Sequence, residues 1–242
     1  MNGILVVDKP IGWTSHDVVN FVRKRFGIKK VGHGGTLDPI ATGILVLFLG
    51  RATKTVKCYE NDDKEYLAVM ALGVDTFSND GTGKILSKEP LKYIPFEKIK
   101  AVFSKFVGEI YQVPPMVSAI KVDGKRLYKM ALKGKTVDVS PRKREIMKLE
   151  ILHYHYPYVM FRMACSKGTY VRKLCADIGS ELGCGAYMSS LVRLKSGRFD
   201  FNGALTITDL RTMTPDEIRE RMVLRLPSFT EHVSSKCNKE PG

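Results

Sequence analysis

Apolar and polar positions follow two periods along this chain. Residues 4–7 are apolar without interruption, end at an acid and predict a short buried strand. Val18, Val22 and Phe26, four apart, put an apolar face on a helix capped by Thr14 or Ser15. "GILVLFLG" (43–50) is apolar throughout and stopped by glycine, as a buried strand is, and "KEYLAVMALGV" (64–74) reads as a longer strand. "SNDGTGK" (78–84) is a turn. Pro95 fits the first turn of a second helix, whose stripe is Phe96, Ile99, Val102, Phe103 and Phe106. Met147, Leu149 and Ile151 alternate with Lys148 and Glu150 as in a half-buried strand. "VMFRMAC" (159–165) has the same period, and the two runs meet at "YPY" in a tight antiparallel connection. A helix is expected from near Thr169 to Leu182, strand around 186–199, and helices near 207–212 and 215–224. Paired strands with interspersed helices predict an α+β fold with a mixed, largely antiparallel central sheet flanked by helices. The polar last ten residues are expected to be disordered.

A chain of 242 residues suits one sizeable domain, or one domain with two lobes. No apolar run reaches the roughly 18–20 residues that span a bilayer. The opening "MNGILVVDKP" lacks the basic region and cleavage site of a signal peptide, so a cytoplasmic protein is expected. The five cysteines are scattered without a C-x-x-C pair. "HYH" at 153–155 puts two imidazoles on one strand face with no third ligand nearby, so no metal is expected. Charge is more informative. Lys and Arg total 39 against 25 acids, a net +14 that points to a polyanionic partner. Nucleic acid is favoured over a membrane because no basic amphipathic anchor stands out. The positive charge concentrates in "RKRFGIKK" (23–30), "KVDGKRLYKMALKGK" (121–135) and "SPRKRE" (140–145).

Two stretches could carry chemistry. "KVGHGGTLDPIATGILV" (30–46) has neither the lysine of a phosphate-binding loop nor the glycine spacing of a dinucleotide fingerprint. Its one acid, Asp38, either starts an Asp-Pro turn or is a reactive carboxylate around which glycines clear space, and the motif alone leaves both open. In "CSKGTYVRKL" (165–174), Gly168 marks a bend, and Tyr170 and Arg172 face the same way if the segment is extended. An arginine aimed at a carboxylate keeps it ionised and oriented. A solvated arginine at a surface helix start is the alternative.

"GHGGTLDPIATGILVLFLGRATK", "KEYLAVMALG", "QVPPMVSAIKVDGKRLY" and "CSKGTYVRKLCADIGSELGCGAYMSSLVR" together resemble the bacterial tRNA pseudouridine synthase B family, from Gly3 to about Leu210. The resemblance implies a pseudouridine synthase fold and isomerisation of uridine 55 in the tRNA T loop, with no cofactor and no metal. Its essential aspartate falls on Asp38, and His33 falls on the histidine that helps hold the everted nucleotide. Tyr66 falls on the aromatic residue that stacks on the target base, and Tyr170 and Arg172 on a Y-x-R whose arginine pairs with the aspartate. Leu191 falls on the leucine lining the uracil pocket, and Lys9–Pro10 on a structural motif. The basic stretch 112–143 resembles a mobile RNA-gripping insertion, with Lys121, Lys125, Arg126, Lys129, Lys133 and Lys135 as candidate phosphate contacts. The implied organisation is a catalytic domain over 1–210 and a short extension over 211–242. Two features depart from the pattern. Val192 replaces a charge in the usual "LRR", and no C-terminal PUA-type domain is evident. The expected partner is the T arm of tRNA, bound by a monomer with neither a membrane nor a protein partner implied. A non-catalytic tRNA-binding or folding factor, or a synthase with another RNA target, would share the scaffold.

Overall fold

The computed structural model describes residues 1–88, 92–118, 120–122, 124–127, 130 and 137–223. In chain order the elements are β1 (Gly3–Lys9), α1 (Ser15–Arg25), β2 (Val31–His33), β3 (Ala41–Leu49), a 3-10 helix (Gly50–Thr55), α2 (Val56–Glu60), β4 (Lys64–Leu72), β5 (Val74–Thr76), β6 (Ile85–Lys88), α3 (Phe96–Ser104), β7 (Gly108–Gln112), β8 (Lys121–Val122), β9 (Lys125–Arg126), β10 (Arg142–His155), β11 (Tyr158–Cys165), α4 (Val171–Leu182), β12 (Ala186–Ser196), α5 (Ile207–Thr212) and α6 (Pro215–Arg221). They fall into two compact units, residues 1–65 with the chain from 192 onward, and residues 66–191.

In the first unit β3 pairs antiparallel with β1, from Gly3↔Leu49 to Lys9↔Gly43, and with β2, where His33 faces Leu47. It also neighbours β12. The uninterrupted apolar run of β3 follows from burial on both faces: Ile44, Leu45, Leu47, Phe48 and Leu49 are all fully buried. Ile4, Val6, Ile44, Val46, Phe48, Ala52 and Phe199 form one core cluster. Helix α1 starts where a capping box closes. Thr14 Oγ1 accepts from Asp17 N–H, and Asp17 Oδ2 accepts from Thr14 N–H at 2.8 Å. Thr14, rather than Ser15, is therefore the cap.

The second unit has the strand order β12-β4-β11-β10-β7, with β10 antiparallel to both β11 and β7. Helix α3 follows Pro95, which is the N-cap residue just outside the helix, and buries Ile99, Val102 and Phe103. Phe103 meets Phe161 of β11 edge-on. The expected largely antiparallel α+β architecture is what forms, with two local differences. Strand 64–74 breaks at Gly73, whose φ of +90° ends β4 before β5 begins. In β10 a register shift between Ile146 and Lys148 leaves Ile146 fully buried and Met147 43% exposed, against the simple alternation. The basic stretch contains the β8–β9 hairpin, with Lys121 opposite Arg126, while Lys129, Lys133 and Lys135 lie outside the described residues. The end of the 211–242 extension also lies outside them, from 224 onward.

Candidate active site

Between β2 and β3 the chain makes the loop 34–40, and Asp38 is its only carboxylate. An irregular loop next to a core has backbone groups that must find partners. Here every carbonyl from 35 to 39 has one. Arg193 Nη2 donates to Gly35 O at 3.2 Å and Nη1 to Thr36 O at 3.4 Å. Ser15 Oγ donates to Leu37 O at 3.1 Å and accepts from Leu37 N–H at 2.8 Å. Ala41 N–H donates to Asp38 O at 3.0 Å, closing the Asp-Pro turn, and Gly12 N–H donates to Pro39 O at 2.8 Å. The turn reading of this sequence is thus correct, and it is compatible with a chemical role for the side chain.

Two buried cations tie this loop. Lys9, the last residue of β1, is fully buried. Its Nζ donates to Trp13 O at 2.6 Å and Pro10 O at 2.9 Å, and reaches Pro39 O at 3.5 Å. That is the structural role expected of the Lys9–Pro10 pair. Arg193 of β12 is 1% exposed, and its Nε also donates to Ile44 O at 2.6 Å. β12 comes this close because residue 43 is glycine. A Cβ there would lie 2.4 Å from Arg193 O, and φ is +96°. Burial pushes Lys9 down to about 8, and the nearby Asp38 carboxylate is the chief charge opposing that shift. Burial, aided by Arg193 and His16, also holds His33 below its usual value, so its imidazole is neutral at pH 7. His33 Nδ1 is buried with no hydrogen-bond partner among the described residues. Asp38 itself is half-buried.

The other predicted residues lie in the second unit. Helix α4 begins at Val171, so Tyr170 is its extended N-cap residue and Arg172 sits in the first turn. They are not one strand period apart, because the helix starts between them. Gln112 of β7 fixes this junction: its Oε1 accepts from Tyr170 N–H at 2.8 Å and its Nε2 donates to Tyr170 O at 3.1 Å. Arg172 is buried rather than solvated. It donates to Ser78 O at 3.1 Å and Val117 O at 2.6 Å, and its guanidinium lies 5.6 Å from the Tyr170 ring centroid. Ser78 belongs to the 78–84 turn, which Asp80 organises by accepting from Ser78 Oγ, Thr82 N–H and Thr82 Oγ1. Tyr66 on β4 and Leu191 on β12 are both buried, on neighbouring strands. Val192, the departure from the family's charge, is half-buried. His153 and His155 are exposed on β10, and no cluster of metal-ligating residues occurs among the described residues.

Sequence reasoning missed Ser15 and Arg193 as groups that hold the Asp38 loop, and Gln112 as the group that fixes the start of α4. The available signal was Arg193 two positions after Leu191, a charge on the buried parity of a strand.

The TruB family pseudouridylate synthase N-terminal domain matches residues 23–171, and the tRNA pseudouridylate synthase B C-terminal domain matches residues 172–226. The tRNA pseudouridine synthase B of Clostridium novyi is 45% identical over 99% of this chain and 83% of its own length. That of Opitutus terrae is 42% identical over 92% of both. Among solved structures, a chain of a Cbf5-Nop10-Gar1 complex superposes with a TM-score of 0.68 at 36% identity, covering 86% of this chain. This chain spans about half (53%) of that longer one. The chain belongs to the TruB family of pseudouridylate synthases.

Proposed function

We infer that this protein isomerises uridine to pseudouridine in tRNA, at position 55 of the T loop. The observation that carries the reading is Asp38, the single carboxylate of a loop whose carbonyls from 35 to 39 are tied down, in a chain of this family. The reaction breaks N1–C1′, turns the uracil and forms C5–C1′; the proton on C5 leaves and N1 ends protonated. Nothing is oxidised or reduced. An ionised Asp38 acts at the sugar, as a nucleophile or as a base, and a rigid loop presents it without reorganisation.

A uridine stacked in a folded loop must be flipped out before a carboxylate reaches its sugar. Tyr66 then supplies a stacking face, Leu191 lines the uracil pocket and His33 helps hold the everted nucleotide. Arg172, set at the start of α4 beside the Tyr170 ring, is the arginine that the family reading pairs with the catalytic aspartate. Lys121, Lys125, Arg126 and Lys129 grip the RNA backbone. A solved relative is bound to a substrate RNA containing 2′-deoxyuridine, which supports an RNA substrate. One chain carries the whole residue set, so a monomer suffices, working in the cytoplasm. No helix among the described residues is long and apolar enough to cross a membrane.

The test is incubation with unmodified tRNA, mapping of pseudouridine by carbodiimide treatment and primer extension, and repetition with Asp38→Asn. A single new stop at T-loop position 55, absent with the variant although it still binds tRNA, is expected. Modification elsewhere would refute the target, and substantial product from Asp38→Asn would refute the role of Asp38.

A further inference from the structure

Residues 18–59 contain eight Lys and Arg and a single acid, Asp38. Half of the chain's net charge of +14 therefore lies in this one stretch. Part of it surrounds a surface cavity of about 390 Å³ in the first unit, edged by Arg23, Lys29 and Lys30 and floored by Gly32, Thr53 and Val56. No carboxylate among the described residues lines it. The three cations are exposed, and none makes a salt bridge or side-chain hydrogen bond among the described residues. Arg25, by contrast, is spent on Arg211 O and Met213 O. Gly32 keeps the floor low: a Cβ there would fill space 3.7 Å from Val56 Cγ2 and 3.9 Å from Thr53 Cγ2. Arg23 also offsets the negative end of α1, which explains one of the three cations but not Lys29 and Lys30 beyond the helix.

We propose that this cavity is a docking site for the phosphodiester backbone of the RNA substrate, held by Arg23, Lys29 and Lys30. The proposal rests on the reading of the protein as an RNA-modifying enzyme. Strand β2 runs from the cavity, which Val31 and Gly32 line, to His33 and the Asp38 loop. At about 3.3 Å per residue that short strand puts the phosphate site roughly 10 Å from the start of the loop. RNA backbone flanking a nucleotide held at Asp38 passes within reach of it. Three exposed cations that pair with no side chain among the described residues recognise charge and no base edge, so the site contributes affinity and register but no sequence discrimination.

The test measures tRNA affinity between 50 and 200 mM salt for wild type, Lys29→Gln/Lys30→Gln, and Lys100→Gln as an exposed lysine of the other unit. Each phosphate contact contributes about 0.7–0.9 to the salt slope, which is about threefold in affinity over that range. The double variant should lower the slope by about 1.4–1.8, so that its affinity changes roughly tenfold less than wild type between the two salts. Lys100→Gln should leave the slope unchanged. An unchanged slope, or an equal change per charge from Lys100→Gln, overturns the proposal. So does unchanged tRNA binding with lost binding to phosphatidylserine vesicles, which would make the patch a membrane surface. Wild-type pseudouridine formation, scored in the same samples, reports separately on the functional reading.

Discussion

Replacing Arg193 with methionine removes the buried cation that holds the Asp38 loop to β12 while keeping an unbranched apolar side chain in its place. Its two better hydrogen bonds, Nε to Ile44 O at 2.6 Å and Nη2 to Gly35 O at 3.2 Å, are charge-assisted and worth about 1.5–3 kcal/mol each. The contact to Thr36 O at 3.4 Å is near the geometric limit and adds little. Against this gross 3–6 kcal/mol stands the several kcal/mol of desolvation that a buried guanidinium costs and methionine does not. A net loss of about 1–3 kcal/mol is expected, which for a chain of this size lowers Tm by about 2–12 °C. The catalytic effect should be larger. With Gly35 and Thr36 released, a displacement of Asp38 by about 1 Å costs on the order of 100-fold in rate. The assay is single-turnover release of tritium from tRNA labelled at uridine C5, run well below the variant's melting temperature. Because Arg193 is 1% exposed and cannot meet RNA phosphates, tRNA affinity should stay within about twofold of wild type. Arg193→Lys, which keeps the charge but not the fork, should recover part of the rate. A folded Arg193→Met enzyme with the wild-type single-turnover rate would show that the ties to Gly35 and Thr36 do not position Asp38.

Gly43→Ala should push β12 away from β3, since the new Cβ would meet Arg193 O at 2.4 Å and backbone cannot yield; a Tm drop of at least about 4 °C by calorimetry is expected, and none would count against the close approach. Tyr66→Phe should keep base stacking, whereas Tyr66→Leu should lose about 1–3 kcal/mol of it, or about 5- to 150-fold in single-turnover rate beyond any effect of the lost hydroxyl. If both variants are equally impaired, the ring has no stacking role. Lys9 should titrate near 8 in the folded protein against the usual 10.5, so the unfolded chain binds more protons between those values. The contribution of Lys9 to stability therefore rises with pH across that window. The stability difference between wild type and Lys9→Met, followed by denaturant unfolding from pH 7 to 10, should grow in favour of wild type above about pH 8. A flat difference would place the Lys9 pKa elsewhere.

Much of the local structure was legible because its causes are local. The period of Val18 and Val22, the capping box of Thr14 and Asp17, the apolar run of β3 and the turn at Asp38-Pro39 each depend on residues a few positions apart. Asp38 could be singled out as the one acid among glycines, although the family resemblance, rather than the motif, gave it a role. The register shift at Met147 was not legible, since one extra residue in β10 leaves no mark in the alternation until its partner strand is known. The orientation of Arg172 was left open for a similar reason, since it turns on whether residue 171 is extended or already helical. Only Gln112, 58 residues away from Tyr170, shows where the extended chain gives way to helix.

The sequence by itself determined most of the elements, the excess of positive charge and which reactive groups are available, because periodicity, net charge and reactive groups are properties of the chain. Tertiary structure alone decided how Asp38 is presented. Ser15 reaches Leu37 across 22 residues, Lys9 reaches Pro39 across 30, and Arg193 reaches Gly35 across 158. All three bind backbone carbonyls. Every residue has a carbonyl, so the choice of partner is written in no side chain and is made only when the fold leaves a particular one without a partner.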